Sequence, residues 1–227
     1  MRPERISDPW WRLALDGTLA AIMFLLLLPL MLAVALAIKI ESPRGPVLFR
    51  QERVGINRRG GDASARSITV ASSGERRQRH AEGKPFRIWK FRTMVPDAEA
   101  RTGPVWAAQD DPRVTRVGRI LRRTRLDELP QLVNVIRGDM RLVGPRPERP
   151  YFVEKLATGV PEYRRRLTVP PGITGLAQVE RAYDEDLDDV RTKLRYDLFY
   201  IENRRALLDM KILMKTLSVV LGRRGAR

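Results

Sequence analysis

The chain has no cysteine among its 227 residues and a single histidine, His80. The first absence excludes disulfides, thiolate zinc sites and a thiol nucleophile, and the second excludes multi-histidine metal centres. Acidic residues are scarce beside basic ones. Asp and Glu number 27 against 43 Lys and Arg, a formal net charge of +16, and the isoelectric point is near 11.1. Such a balance calls for an anionic partner: nucleic acid, anionic lipid or a phosphorylated substrate. Aromatics are 7% of the chain and do not interleave with the basic residues as a stacking platform for nucleic acid would require. No helix-turn-helix, RNA-recognition or zinc pattern is present, and there is no internal repeat.

The length suits one domain, or one domain plus an anchor. Residues 17–38 read GTLAAIMFLLLLPLMLAVALAI and carry no charge. As a helix they reach roughly 33 Å, enough for a hydrocarbon core of about 30 Å. A cleaved signal peptide fits badly, because the run is long and no small-residue cleavage site follows. Two readings remain open. A straight helix would span the bilayer. Pro29, near the centre, removes a helix hydrogen bond and favours a bend. Both flanks are basic, with Arg2, Arg5 and Arg12 before and Lys39, Arg44, Arg50 and Arg53 after, so charge gives no orientation. A re-entrant helix bent at Pro29 would return both flanks to one face. The domains are therefore an anchor, 1–40, and a polar domain, 41–227.

The remainder is expected to be α+β, mainly helical with a few short strands. A turn and short strand fall near Val47, Leu48 and Phe49, and a strand burying aromatics falls in KPFRIWKFRTM, 84–94. Residues 58–83 lack apolar periodicity and are expected to form a disordered surface insertion containing His80. Its arginines either touch anionic headgroups or are solvated. Residues 95–112 read as loop. Helices are expected over 113–123, from 124–128 to Gly138, and over 149–168 with a break at Gly159-Val160-Pro161. GDMRLVGPRPE reads as a loop, and PPGITGLAQV as a Pro/Gly loop leading into a short strand. Two helical stretches close the chain. In the last, Leu207, Met210, Met214, Leu217 and Leu221 make an amphipathic stripe, which fits either the protein's own core or the membrane interface.

One stretch stands out: RRTRLDELPQLVNVIRGDMRLVGPRPE, 122–148. Asp127 and Glu128 are adjacent carboxylates in a cationic setting. Thr124 as N-cap with Asp127 three residues on forms a capping box, so the pair has an ordinary structural reading. The same geometry supports chemistry. Positive potential from a helix N-terminus, with Arg122, Arg123 and Arg125, would lower the Asp127 pKa and keep it ionised. An ionised, oriented carboxylate is a nucleophile towards phosphorus. Two carboxylates can also hold Mg²⁺ bridged to phosphates. In GPRP, Pro145 and Pro147 fix the backbone and project Arg146, suited to bidentate phosphate contact, though the motif is equally a rigid turn.

These residues, with GPVLFRQERVG (45–55), KPFRIWKFRTM (84–94), PPGITGLAQV (170–179) and YDLFYIENRRALLDMKILMKTL (196–217), resemble the bacterial sugar transferases, the monotopic polyprenyl-phosphate phosphoglycosyl transferases. With the anchor, the resemblance covers nearly the whole chain outside the insertion. It implies transfer of a sugar-1-phosphate from a UDP-sugar to polyprenyl (undecaprenyl) phosphate, with release of UMP, at the start of surface-glycan assembly. It implies Asp127 as nucleophile of a covalent phosphosugar intermediate, Glu128 as its assistant, and Mg²⁺ on the pair. Lys90, Arg122, Arg146 and Asp197 match substrate- or phosphate-binding positions. The family also implies the re-entrant anchor bent at Pro29, a place in the bacterial inner membrane with the catalytic domain on the cytoplasmic face, contact with membrane lipids, and no nucleic-acid partner. A homo-oligomer is compatible with it. The chain departs from the pattern at Leu28, where many members have Ser; at Glu180-Arg181-Ala182, where Asn-Gly-Arg is common; at Arg205, where Ser is common; and in the insertion. The rivals are a membrane-tethered nucleic-acid-binding protein and an inactive family member acting as a scaffold.

Overall fold

The computed structural model describes residues 9–56, 83–98, 111–180 and 187–221. The expected insertion, His80 included, lies outside the described residues except for Gly83, as do residues 99–110 and Arg181-Ala182. The fold is mostly helical with four short strands among the described residues. Helix α1, Trp10–Glu41, is a single element with Pro29 inside it, and it is long and apolar enough to cross a membrane.

One face of α1 is laid on the rest of the protein. Ala20, Met31, Val34 and Ile38 are buried and Phe24, Leu27 and Ala35 partly so, at three- and four-residue spacing. The opposite face, with Ile22, Leu26, Leu36 and Ile40, is exposed. Polar contacts fix both ends. Near the start, Asp16 pairs with Arg141 at 3.2 Å. At the end, the Glu41 carboxylate accepts from the Arg116 and Val117 amides, at 2.8 and 3.2 Å. Those amides open α2, Arg116–Thr124, so the apolar helix caps the helix that leads to Asp127.

Strands β1, Leu48–Val54, and β2, Pro85–Phe91, form an antiparallel hairpin in which Phe49 pairs with Lys90 and Arg50 with Trp89. The Arg50 guanidinium lies 3.8 Å from the Trp89 ring centre. Among the described residues the other edge of β2 has no strand beside it. Asn134, fully buried, takes that place: its Oδ1 accepts from the Trp89 amide at 3.1 Å and its Nδ2 donates to the Arg87 carbonyl at 2.8 Å. Both backbone groups would otherwise be orphaned.

The GDMRLVGPRPE segment is more ordered than the sequence suggests. Residues Arg141–Val143 form β3, parallel to β4, Gly172–Thr174. Just beyond, Gly144 and Gly172 touch backbone to backbone. A Cβ on Gly144 would come within 2.7 Å of the Pro170 carbonyl oxygen. The strand expected at the end of PPGITGLAQV lies earlier, and Leu176–Glu180 is a short helix instead. The helix Pro150–Gly159 ends at the expected break, and a 3-10 turn, Tyr163–Thr168, follows. It packs with Val190 and Leu194 of the helix Leu187–Glu202 around Phe152, Val153 and Leu156.

The last helix, Ala206–Leu221, has two apolar faces. Ile212, buried, and Leu208 and Leu213, partly so, join the main core with Leu132, Val135, Met140 and Tyr200. The sequence stripe Leu207, Met210, Met214 and Leu217 is the outward one, each residue more than half exposed. We expect Met214→Glu to change stability by no more than about 0.5 kcal/mol, and Ile212→Glu to cost about 4 kcal/mol or more through a buried charge. Denaturant unfolding of the two variants in detergent measures this. Equal losses would contradict the assignment of faces.

Candidate active site

The site is built on the chain reversal after α2. Thr115 caps that helix, its Oγ1 accepting from the Gly118 amide at 2.9 Å. At the far end Arg125 takes a left-handed conformation, φ 59°, which is costly for a side-chain-bearing residue and turns the chain sharply. A 3-10 turn, Leu126–Gln131, carries Asp127 and Glu128, and a short helix, Leu132–Ile136, follows. The expected capping box does not form. Thr124 ends α2 and its hydroxyl donates back to the Ile120 carbonyl at 2.8 Å. Gly138, at φ 76°, closes the segment as expected.

The two carboxylates, both buried, have different surroundings. Glu128 is gripped by two cations, with Arg125 a more distant third at 3.9 Å. Arg146 reaches it with both terminal nitrogens, at 2.5 and 3.3 Å, and the Lys90 ammonium lies at 3.0 Å. Asp127 has only a longer approach, Oδ2 to Lys90 at 3.8 Å. Its Oδ1 is buried and accepts no hydrogen bond from the described residues.

The protonation behaviour divides accordingly. Burial opposes ionisation of Glu128, but Arg146 and Lys90 outweigh it and hold the carboxyl well below the usual range. For Asp127, burial is the largest influence and pushes the carboxyl up, against Lys90. This reverses the sequence-based expectation of a lowered Asp127 pKa, because the cations converge on Glu128 instead. The Lys90 ammonium is itself lowered by burial, with Glu128 and Asp127 opposing.

Four of the six expected residues, Lys90, Asp127, Glu128 and Arg146, therefore meet. Arg122 stands on α2 and donates to the Thr93 hydroxyl at 3.0 Å. Asp197, 2% exposed, pairs with Arg166 at 2.8 Å. Arg166 in turn donates to the Arg146 carbonyl at 2.9 Å. Two contributors were not singled out from sequence, Arg166 and Arg53. Arg53 donates to the Pro147 carbonyl and pairs with Glu148. Burial presses its guanidinium pKa down to about 10 against the pull of Glu148. The signal for Arg53 was present: alternation along β1 places it on the face that holds Phe49, whose partner is Lys90.

No group of three or more acidic or histidine ligands occurs among the described residues. A divalent ion could take at most the adjacent carboxylates from this cluster. The unpartnered Asp127 oxygen fits such a role only when phosphate and water supply the other ligands, the usual habit of Mg²⁺.

A family model described as bacterial sugar transferase matches residues 7–63 and 63–223. The chain belongs to this family. It is 43% identical over 213 residues to a UDP-N-acetylgalactosamine-undecaprenyl-phosphate N-acetylgalactosaminephosphotransferase of Aeromonas hydrophila, covering 94% of this chain and 44% of that one. It is 41% identical over 225 residues to a UDP-glucose:undecaprenyl-phosphate glucose-1-phosphate transferase of Caulobacter vibrioides, covering 96% and 72%. It is 38% identical over 200 residues to an exopolysaccharide production protein of Rhizobium leguminosarum bv. phaseoli, covering 85% and 86%. The chain thus spans less than half of the first of these relatives and most of the other two.

In this family member the division between the carboxylates is open to direct measurement. Carbon-13 NMR of labelled side-chain carboxyls should show Asp127 titrating above the ordinary value of about 3.9 and Glu128 below its own of about 4.3. Lys90 favours the ionised form of Asp127, so Lys90→Gln should move the Asp127 midpoint further up. An unchanged or lower midpoint would contradict the role given to Lys90.

Proposed function

We propose that the protein transfers a sugar-1-phosphate from a UDP-sugar to polyprenyl phosphate and releases UMP, through a covalent phosphosugar on Asp127. The observation that carries this reading is the inequality of the pair. Glu128 is engaged by Arg146 and Lys90, whereas Asp127 keeps one oxygen without a partner among the described residues. The names of the relatives supply the substrate classes, and they differ in the sugar, N-acetylgalactosamine in one and glucose in another.

In the first step Asp127 Oδ1 attacks the sugar-bearing phosphorus. The bond from that phosphorus to the bridging oxygen breaks, and UMP departs with the electron pair. In the second step an oxygen of the polyprenyl phosphate attacks the same phosphorus. The acyl-phosphate bond breaks and the Asp127 carboxylate is restored. No proton need move at Asp127 in either step. Lys90 and Arg146 hold positive charge beside the reacting phosphorus, and with Arg53 they offset the negative charge of two phosphorylated substrates. A covalent route lets donor and acceptor occupy the site in turn. Mg²⁺, held by Asp127 and Glu128 with the donor's phosphates, would further neutralise the diphosphate.

The exposed faces of α1 and the last helix suit a bilayer seat. Such a seat places the site at headgroup level, where a lipid phosphate and a soluble nucleotide sugar can both reach it. We place the domain on the cytoplasmic face, with α1 re-entrant at Pro29. The same Met214→Glu variant should lower the fraction recovered with membranes; full recovery would remove the last helix from that seat.

The reaction is tested by incubating the purified protein with Mg²⁺ and a panel of UDP-sugars without lipid acceptor. One donor should yield UMP and a protein mass increase of one phosphosugar, and Asp127→Asn should abolish both. Absence of UMP with every donor, even after acceptor is added, would leave the scaffold reading standing.

A further inference from the structure

The loop that carries Arg146 cannot hold itself. Pro145 and Pro147 have no amide hydrogen, so the segment lacks half of its own donors. Its carbonyls are instead taken one after another by outside groups. Pro145 accepts from the Gly172 amide at 3.0 Å, and Glu148 from the Val54 amide at 2.9 Å. Between them, Arg146 accepts from Arg166 Nη2 at 2.9 Å and Pro147 from Arg53 Nη1 at 3.0 Å. Two of the four donors are therefore guanidiniums, Arg166 buried and Arg53 partly so.

Arg166 is the more firmly fixed of the two. It is 9% exposed, its Nη2 also pairs with Asp197 at 2.8 Å, and its Nη1 donates to the Tyr163 hydroxyl at 2.7 Å. Tyr163 sits in the second apolar cluster with Phe152 and Leu167. A small crevice beside the loop is lined by Arg146, Glu148 and Arg166 with Gly55 and Pro171, so the loop is not fully packed. Hydrogen bonds are left to fix its position.

We infer that Arg166, locked by Asp197 and Tyr163, is a positioning residue that aims Arg146 at Glu128 by holding the Arg146 carbonyl. Asp197 then serves the site at second hand. Its negative charge would repel a phosphate, whereas it orients a guanidinium well. The inference rests on the proposed function only in that Arg146 assists transfer; the placement of the loop is independent of activity.

Two readouts test it. In hydrogen exchange, Arg166→Lys should speed exchange of the Gly172 and Val54 amides, which donate to the Pro145 and Glu148 carbonyls of the loop, by about tenfold or more, while the core helices keep their protection. In kinetics, Arg166→Lys should slow adduct formation by about 10- to 100-fold, the usual cost of a misplaced group, with the same division between kcat and donor KM that Arg146→Lys shows. The double variant should be no more than about threefold slower than Arg146→Lys alone. Unchanged exchange of those two amides, or losses that multiply in the double variant, would overturn the inference. Should Arg166→Lys fail to fold, Tyr163→Phe, which removes one contact to Arg166, gives the same readouts at smaller amplitude. A protein without transferase activity still answers through the exchange arm, so the two readings fail separately.

Discussion

The fork between Arg146 and Glu128, completed by Lys90, is the contact on which the site depends. It turns two cations mainly onto one carboxylate and thereby leaves Oδ1 of the neighbouring one without a partner among the described residues. Removing one partner of a buried ion pair costs about 3–5 kcal/mol. If Glu128 had to leave Arg146 to attack phosphorus, that cost would enter the barrier as a rate loss of roughly a hundred- to several-thousand-fold. Asp127 Oδ1 has no such bond to break. Adjacent residues of one chemical type thus acquire different tasks from their neighbours.

The rest of the fold brings those neighbours together from distant parts of the chain. Lys90 arrives on β2, whose outer edge is completed by Asn134 of the same segment that carries the carboxylates. Arg146 arrives on a proline loop bound between β1, β4 and Arg166. The carboxylates follow α2, whose first turn is capped by Glu41 at the end of the apolar helix. Met31, Val34 and Ile38 of that helix pack with Leu121, Leu126 and Leu129, which flank the carboxylates. The apolar helix is therefore part of the framework of the site as well as a large exposed apolar surface.

Much of this was legible in the sequence, and the failures have physical causes. The helices near 113–123 and 149–159 were readable because caps, Gly and Pro bracket a clear period. The outward stripe of the last helix was readable as amphipathic, but not which stripe faced the core, since Leu208, Ile212 and Leu213 make a second apolar face. Strand β3 escaped because three buried residues carry no alternation, and β4 lies earlier than the strand expected in its segment, where Gly172 meets Gly144. The identity of the charged cluster was legible for Lys90, Asp127, Glu128 and Arg146. Its electrostatics were not, because an expected capping box put the positive potential on Asp127, whereas the structure directs two side chains from 38 and 18 residues away onto Glu128. Arg166 was hidden among RRR, where only packing tells which arginine turns inward.

The account is tested most directly by locating the covalent phosphosugar. Protein loaded with its UDP-sugar in the absence of lipid acceptor is quenched, digested and sequenced by tandem mass spectrometry. The added mass should fall on Asp127, and it should disappear when polyprenyl phosphate is supplied. The same mass found on Glu128, or on any residue outside the pair, would contradict the division of labour on which this structure's reading rests.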